Sequence, residues 1–110
     1  MTAEIPPGVA IETLYIVEAT YAPDAEETRR VVRAEHLARV MEMRRSGILL
    51  EAGGFADFTC ALLLFRTASA EEALAICRDD VYTRSGVWVE LRARPWGRVV
   101  AEAEVAATAG

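Results

Sequence analysis

The chain has a single histidine, His36, in the run Arg33-Ala34-Glu35-His36-Leu37-Ala38-Arg39-Val40. Far downstream lies a second polar cluster, Arg78-Asp79-Asp80-Val81-Tyr82. A histidine titrates near neutral pH and both gives and takes protons. A carboxylate beside it fixes its tautomer and raises its basicity. If the two segments meet, they form a proton-transfer site; if they do not, His36 is a structural side chain bonded to a carbonyl or to a partner subunit. Asp80 has its own structural alternative, a helix-ending turn residue. Its neighbour Asp79 can fill either part.

Other chemistries find little support. The chain lacks lysine, so Schiff-base catalysis is excluded. Cys60 and Cys77 have no metal-ligand spacing and read as small buried hydrophobes of a reduced compartment. One histidine with scattered carboxylates makes no metal set, and Gly53-Gly54 is a hairpin turn rather than a phosphate loop. No flavin, nicotinamide or Ser-His-Asp pattern is present. The expectation is therefore no cofactor and no metal. The net charge of −5 argues against nucleic acid as a partner. Arg29, Arg30, Arg33, Arg39, Arg44 and Arg45 are offset by Glu26, Glu27, Glu35 and Glu42, so they read as a solvated helix face of mixed-sign pairs. No apolar run reaches membrane-spanning length, and the start lacks a basic, apolar leader. A cytoplasmic protein with no membrane partner is expected.

The positioning elements follow from periodicity. Residues 1–12 carry Pro6, Pro7 and Gly8 and read as a flexible arm ahead of a single domain over 13–99. Glu12 to Tyr21 alternates as a strand. Asp24 opens a helix predicted to run unbroken from Ala25 to Arg45, with two apolar stripes. One is Val31, Ala34, Leu37, Ala38 and Met41; the other, centred on His36, is Val32, His36, Val40 and Met43. Such a helix needs two partners. Ser46-Gly47 ends it. Ile48 to Ala52 and Thr59 to Arg66 read as a hairpin whose second, continuously apolar strand is central. Ser69 and Glu72 form a capping box for a helix over Ala70 to Arg78. Val87 to Arg94 alternates as a final strand, with Trp88 on the face away from the helices, and Pro95-Trp96-Gly97 closes it. Residues 100–110 are expected to be a disordered tail.

The order is β-α-β-β-α-β, an α+β ferredoxin-like fold with a four-stranded antiparallel sheet and two helices on one face. A hydrophobic fraction of 53% exceeds the globular average. With a second sheet face to cover, this predicts a homodimer, open to further assembly.

Three segments carry a family resemblance: Arg33 to Arg39, Gly47-Ile48-Leu49-Leu50-Glu51-Ala52-Gly53, and Asp80-Val81-Tyr82 followed by Gly86-Val87. In order and spacing they resemble the YCII-related proteins, over about Leu14 to Val99. The resemblance implies a ferredoxin-like chain that pairs as a dimeric α+β barrel. It also implies kinship with muconolactone isomerases and with a dehydrochlorinase of chlorinated hydroxyhydroquinone. A helix histidine and the aspartate of an Asp-Pro-Tyr motif are the family's active pair, here His36 and Asp80. Val81 replaces the proline, and the loop after Gly54 is short, so a pocket lid is not expected.

The implied activity is cofactor-free isomerisation or HX elimination on a small cyclic or aromatic substrate, with His36 as base and acid and Asp80 as its orienter. Apolar walls from Val32, Val40 and Met43 would exclude water. Tyr82 is placed to donate to a developing oxyanion and Arg33 to hold an acidic substrate. The alternatives are a non-catalytic dimer that binds a small molecule in the same pocket and an assembly module without a ligand.

Overall fold

The computed structural model describes residues 4–109, and of residues 106–109 only the backbone. Residues 1–3, part of the expected arm, and residue 110 of the expected tail lie outside the described residues. The chain runs β1 (Val9–Tyr21), α1 (Ala25–Thr28), a 3₁₀ turn (Arg29–Val31), α2 (Arg33–Ser46), β2 (Leu49–Gly54) and β3 (Cys60–Phe65). It continues with α3 (Ala70–Arg78), α4 (Val81–Arg84), β4 (Trp88–Ala101) and α5 (Glu102–Ala109). The four strands form one antiparallel sheet in the order β2-β3-β1-β4. This is the ferredoxin-like α+β architecture, with β3 internal as its apolar run requires.

Alternation along the strands builds the core. Val17 and Ala19 of β1 and Ala61, Leu63 and Phe65 of β3 pack with Ala73 and Cys77 of α3 and Val40 of α2. Phe65 and Leu49 are essentially fully buried, and each such side chain contributes about 1.5–3 kcal/mol. Ser69 Oγ accepts from the Glu72 N–H at 3.1 Å, fixing the start of α3. Gly47, at φ 84°, ends α2 in a left-handed turn.

Five expectations change. The long helix is broken: α1 gives way to the 3₁₀ turn, and Val32 at φ −111°, ψ 0° separates it from α2. The β-branched pair Val31-Val32 is a weak spot for helix continuation. His36 therefore stands in the first turn of α2, not mid-helix. Of the two stripes, that of His36 and Val40 packs inward, while Val31, Leu37 and Met41 are exposed.

β1 starts at Val9, so residues 9–12 of the expected arm are strand, paired from Val9↔Ala101 onward. β4 does not close at Pro95-Trp96-Gly97 but continues to Ala101. It is an edge strand, where a missing proline N–H breaks no ladder. The tail is helical, as its Ala/Glu content favours, and the Glu102 N–H donates to the Gly8 carbonyl at 3.0 Å. Finally, a register shift between Thr20 and Tyr21 against β4 turns Trp88 to the helix side, where it is buried.

The opposite sheet face carries Ile16, Leu62 and Leu64, partly exposed around a shallow apolar depression of about 340 Å³. Ion pairs flank it, Glu12 with Arg66 and Arg98, and Glu18 with Arg92 and Arg94. The Arg66 hydrogen bond holds the Glu12 carboxyl below its ordinary pKa.

Candidate functional site

His36 and Asp80 meet. The break at Val32 lets α2 start with His36 facing the sheet, and the His36 N–H closes the first turn on the Val32 carbonyl at 3.0 Å. Asp80 ends the passage from α3 and caps α4. Its backbone is extended, and its Oδ1 accepts from the Tyr82 N–H at 2.9 Å. Val81 opens α4 directly after this cap.

The same Oδ1 lies 2.8 Å from His36 Nδ1, and Oδ2 accepts from Arg39 Nη1 at 3.2 Å. Asp80 is 1% exposed and His36 7%. Burial works to raise the Asp80 carboxyl's pKa, but the hydrogen bonds from His36 and Tyr82 N–H and the nearby charges of His36 and Arg39 bring it below the usual value. An ionised carboxylate only accepts. In the neutral ring the Nδ1 atom therefore carries the proton, and Nε2 is left as the basic edge. Asp79 is exposed and sits 3.8 Å from Arg39. Asp80 is the histidine's partner.

The ring is held on one face and along one side of the stack. Tyr82 stacks on His36 with centroids 3.7 Å apart and planes 10° from parallel. Trp88 meets both rings edge-on, at 5.1 Å from His36 and 5.4 Å from Tyr82. Such pairs are worth about 0.5–1.5 kcal/mol each beyond area burial. They fix the imidazole plane, so Asp80 and two aromatic rings together set where Nε2 can act.

These groups wall a cavity of about 400 Å³ that includes His36, Tyr82, Trp88 and Val40, large enough for a single-ring molecule. Asp80 lies behind His36 rather than in the wall. Of the apolar residues expected to exclude water, Val40 lines the cavity, whereas Val32 and Met43 pack elsewhere on the core. Arg33 and Tyr82 both line it, Arg33 as an exposed residue.

The short loop after Gly54 contributes Phe55, Ala56 and Phe58 to the lining. Asp57 accepts from the Thr59 hydroxyl at 2.7 Å and from its N–H at 3.0 Å, which tightens this turn. Phe58 adopts φ 59°, a conformation that costs a non-glycine residue about 1–3 kcal/mol. It is held there by Tyr21 edge-on and by the Arg29 guanidinium 4.5 Å above its ring. A methyl group at Gly54 would run into the Tyr21 hydroxyl, so glycine there leaves room for the ring.

Arg29, Arg39 and Trp88 were not singled out as site residues. Arg39 lies one helical turn beyond His36, a spacing that could have flagged it. Arg29 follows from the kink at Val32 and Trp88 from the register shift, and neither carries a local sequence signal. Cys77 is inert: burial pushes its thiol up to about 12.

The profile described as YCII-related domain matches residues 13–97. Protein YciI of Escherichia coli is 32% identical over 96 residues, covering 78% of this chain and 98% of that protein. An uncharacterized protein of Haemophilus influenzae is 26% identical over 95 residues, covering 77% and 97%. Among solved structures, a 5-chloro-2-hydroxyhydroquinone dehydrochlorinase from Burkholderia phenoliruptrix, in complex with 2,5-dihydroxybenzoquinone, superposes with a TM-score of 0.63. It covers 76% of this chain and 92% of its own at 20% identity, a likeness of fold.

Proposed function

The chain belongs to the YCII-related domain family, and from that premise we propose that it is a cofactor-independent enzyme of the lyase or isomerase type, moving protons on a small cyclic or aromatic substrate. The observation that carries this reading is the buried His36–Asp80 pair, with Nδ1 committed to the carboxylate and the ring in the wall of the cavity. Nε2 is the general base, Asp80 the positioning carboxylate, and Tyr82 the donor to a developing oxyanion.

For a halogenated polyhydroxybenzene the steps balance without an oxidant. Nε2 takes a hydroxyl proton and returns it to the ring carbon that bears the halogen. Loss of a second hydroxyl proton then expels halide, leaving a hydroxyquinone and HX. The substrate of the dehydrochlorinase with the same fold makes 5-chloro-2-hydroxyhydroquinone the first compound to test. The expected result is chloride release that saturates with substrate and exceeds the buffer rate; chloride at the buffer rate over the full concentration range rejects elimination on this compound class.

The working unit in this proposal is a homodimer, with a second copy covering Ile16, Leu62 and Leu64 face to face. Partly exposed leucines on the open face and the ion pairs beside them support it. The wild type is expected to sediment at twice the chain mass and Leu64→Arg, with unchanged circular dichroism, at the single-chain mass. A wild type that sediments as a single chain at micromolar concentration rules the dimer out.

A further inference from the structure

The charge of the cavity is opposite to that of the chain. The protein carries −5, yet among the described residues no carboxylate lines the cavity and two guanidiniums do, Arg29 and Arg33. Eight of the twelve arginines form ion pairs with carboxylates among the described residues. Arg29 and Arg33 form none, although Glu26, Glu27 and Glu35 are close in sequence, and Glu35 is turned to Arg84 instead at 3.7 Å. The mixed-sign face expected from sequence is thus segregated by the break at Val32. Arg29 lies before it, laid over Phe58, and Arg33 just after it.

Both guanidiniums act on the Tyr82 hydroxyl. Burial raises that phenol above its ordinary value of 10.0, and Arg29 and Arg33 oppose the rise. A second, independent observation comes from Trp88, which packs against His36 and Tyr82. Trp88 is 3% exposed, and its Nε1 is buried with no acceptor among the described residues. A buried donor without a partner costs about 1–3 kcal/mol, and Trp88 lines the same cavity. A ligand oxygen there would recover that loss.

We infer that the cavity selects a planar ring compound that bears a carboxylate, with Arg29 and Arg33 binding the carboxylate and the Trp88 indole N–H donating to a ring substituent. The inference rests on the reading of this cavity as the substrate site and narrows its substrate class. A carboxylate presents two oxygens in one plane, the geometry guanidinium donors match best. Phe58, Tyr82 and Trp88 give the cavity aromatic lining suited to a flat ligand. His36 Nε2 would then meet the ring rather than the carboxylate.

The test is titration calorimetry of the full-length chain with 4-hydroxybenzoate and with its neutral isostere 4-hydroxybenzamide, at one salt concentration. The acid is expected to bind at least about tenfold more tightly, as charge-assisted bonds imply. Arg29→Gln and Arg33→Gln should each erode that preference and together abolish it, while amide binding stays unchanged. In ¹H–¹⁵N spectra the indole N–H of Trp88, assigned with Trp96→Phe, should move downfield with either ligand. Equal affinity for acid and amide overturns the inference. So does a preference that survives both substitutions, an indole signal that does not move, or binding of neither ligand at millimolar concentration. Tighter binding of neutral catechol than of the acid would instead point to phenol recognition and also reject it. Binding at equilibrium needs no turnover, so the two readings fail separately. Acid preference without any halide release defeats the enzyme reading alone, and halide release without acid preference defeats this inference alone.

Discussion

His36→Asn is expected to remove about 10²–10⁴-fold of the turnover on a halogenated polyhydroxybenzene, the usual worth of a positioned general base, while the chain stays folded. Asparagine suits the test because its amide nitrogen reaches the position of Nδ1. The 2.8 Å bond to Asp80 can therefore be kept while Nε2 disappears. What is lost structurally is the ring, with its stacking on Tyr82 and its edge contact with Trp88. That loss costs about 1–3 kcal/mol, within the margin of a domain of this size. Initial rates of halide release, read beside circular dichroism and a melting curve, separate the two effects. A folded His36→Asn that retains wild-type turnover would remove the imidazole from the mechanism, and the proposed function with it.

Much of the candidate site was legible because its two ends are marked by local chemistry. Asp80 reads as a turn residue that ends a helix, and His36 interrupts an apolar stripe where a ring with a polar edge needs a partner. Their meeting across 44 positions was carried by family resemblance, because spacing alone supplies no long-range contact. The capping box at Ser69 and the central place of β3 followed from capping chemistry and from two-sided apolarity.

The misreadings share a physical cause, in that each depended on phase. A single non-helical residue, Val32, rotates everything after it relative to α1, so the helical wheel that mixed Arg29 and Arg33 with glutamates was drawn through a break. A register shift beside Tyr21 does the same to a strand and moves Trp88 from one face to the other. Proline signals a stop in isolation, but at an edge strand it is tolerated, and only the sheet order says which strand is the edge. The cavity's charge and its unpartnered indole both arise from these phase changes. The features that bear most on ligand choice were therefore the least accessible to pattern reading.

Asp80→Ala is expected to cost about 3–5 kcal/mol of stability, since it removes the one buried acceptor shared by three donors, each unmade bond costing about 1–3 kcal/mol. Three donors converge on the carboxylate: the imidazole, the Arg39 guanidinium and the Tyr82 N–H. Water cannot replace it easily at 1% exposure. The melting temperature should fall by at least about 12 °C. Asp80→Asn should cost less, because its oxygen still accepts from the Tyr82 N–H while its amide nitrogen faces Arg39.

The asparagine variant also tests the charge. The folded-state pKa of Asp80 lies below its ordinary value, so the unfolded chain binds this proton more readily than the native one. The stabilisation is complete at neutral pH and above the unfolded value of about 4. It is lost as the pH falls through the depressed folded value. The stability gap between wild type and Asp80→Asn should therefore narrow as the pH drops from about 5 towards 2. Glu12 and Asp57 also titrate below their ordinary values, but they are common to both proteins and cancel in the difference. Urea denaturation of the two proteins at each pH gives the gap directly. A gap that stays constant across this range would mean that Asp80 acts by shape and hydrogen bonding alone, and that the negative charge placed here behind His36 is not what holds the imidazole.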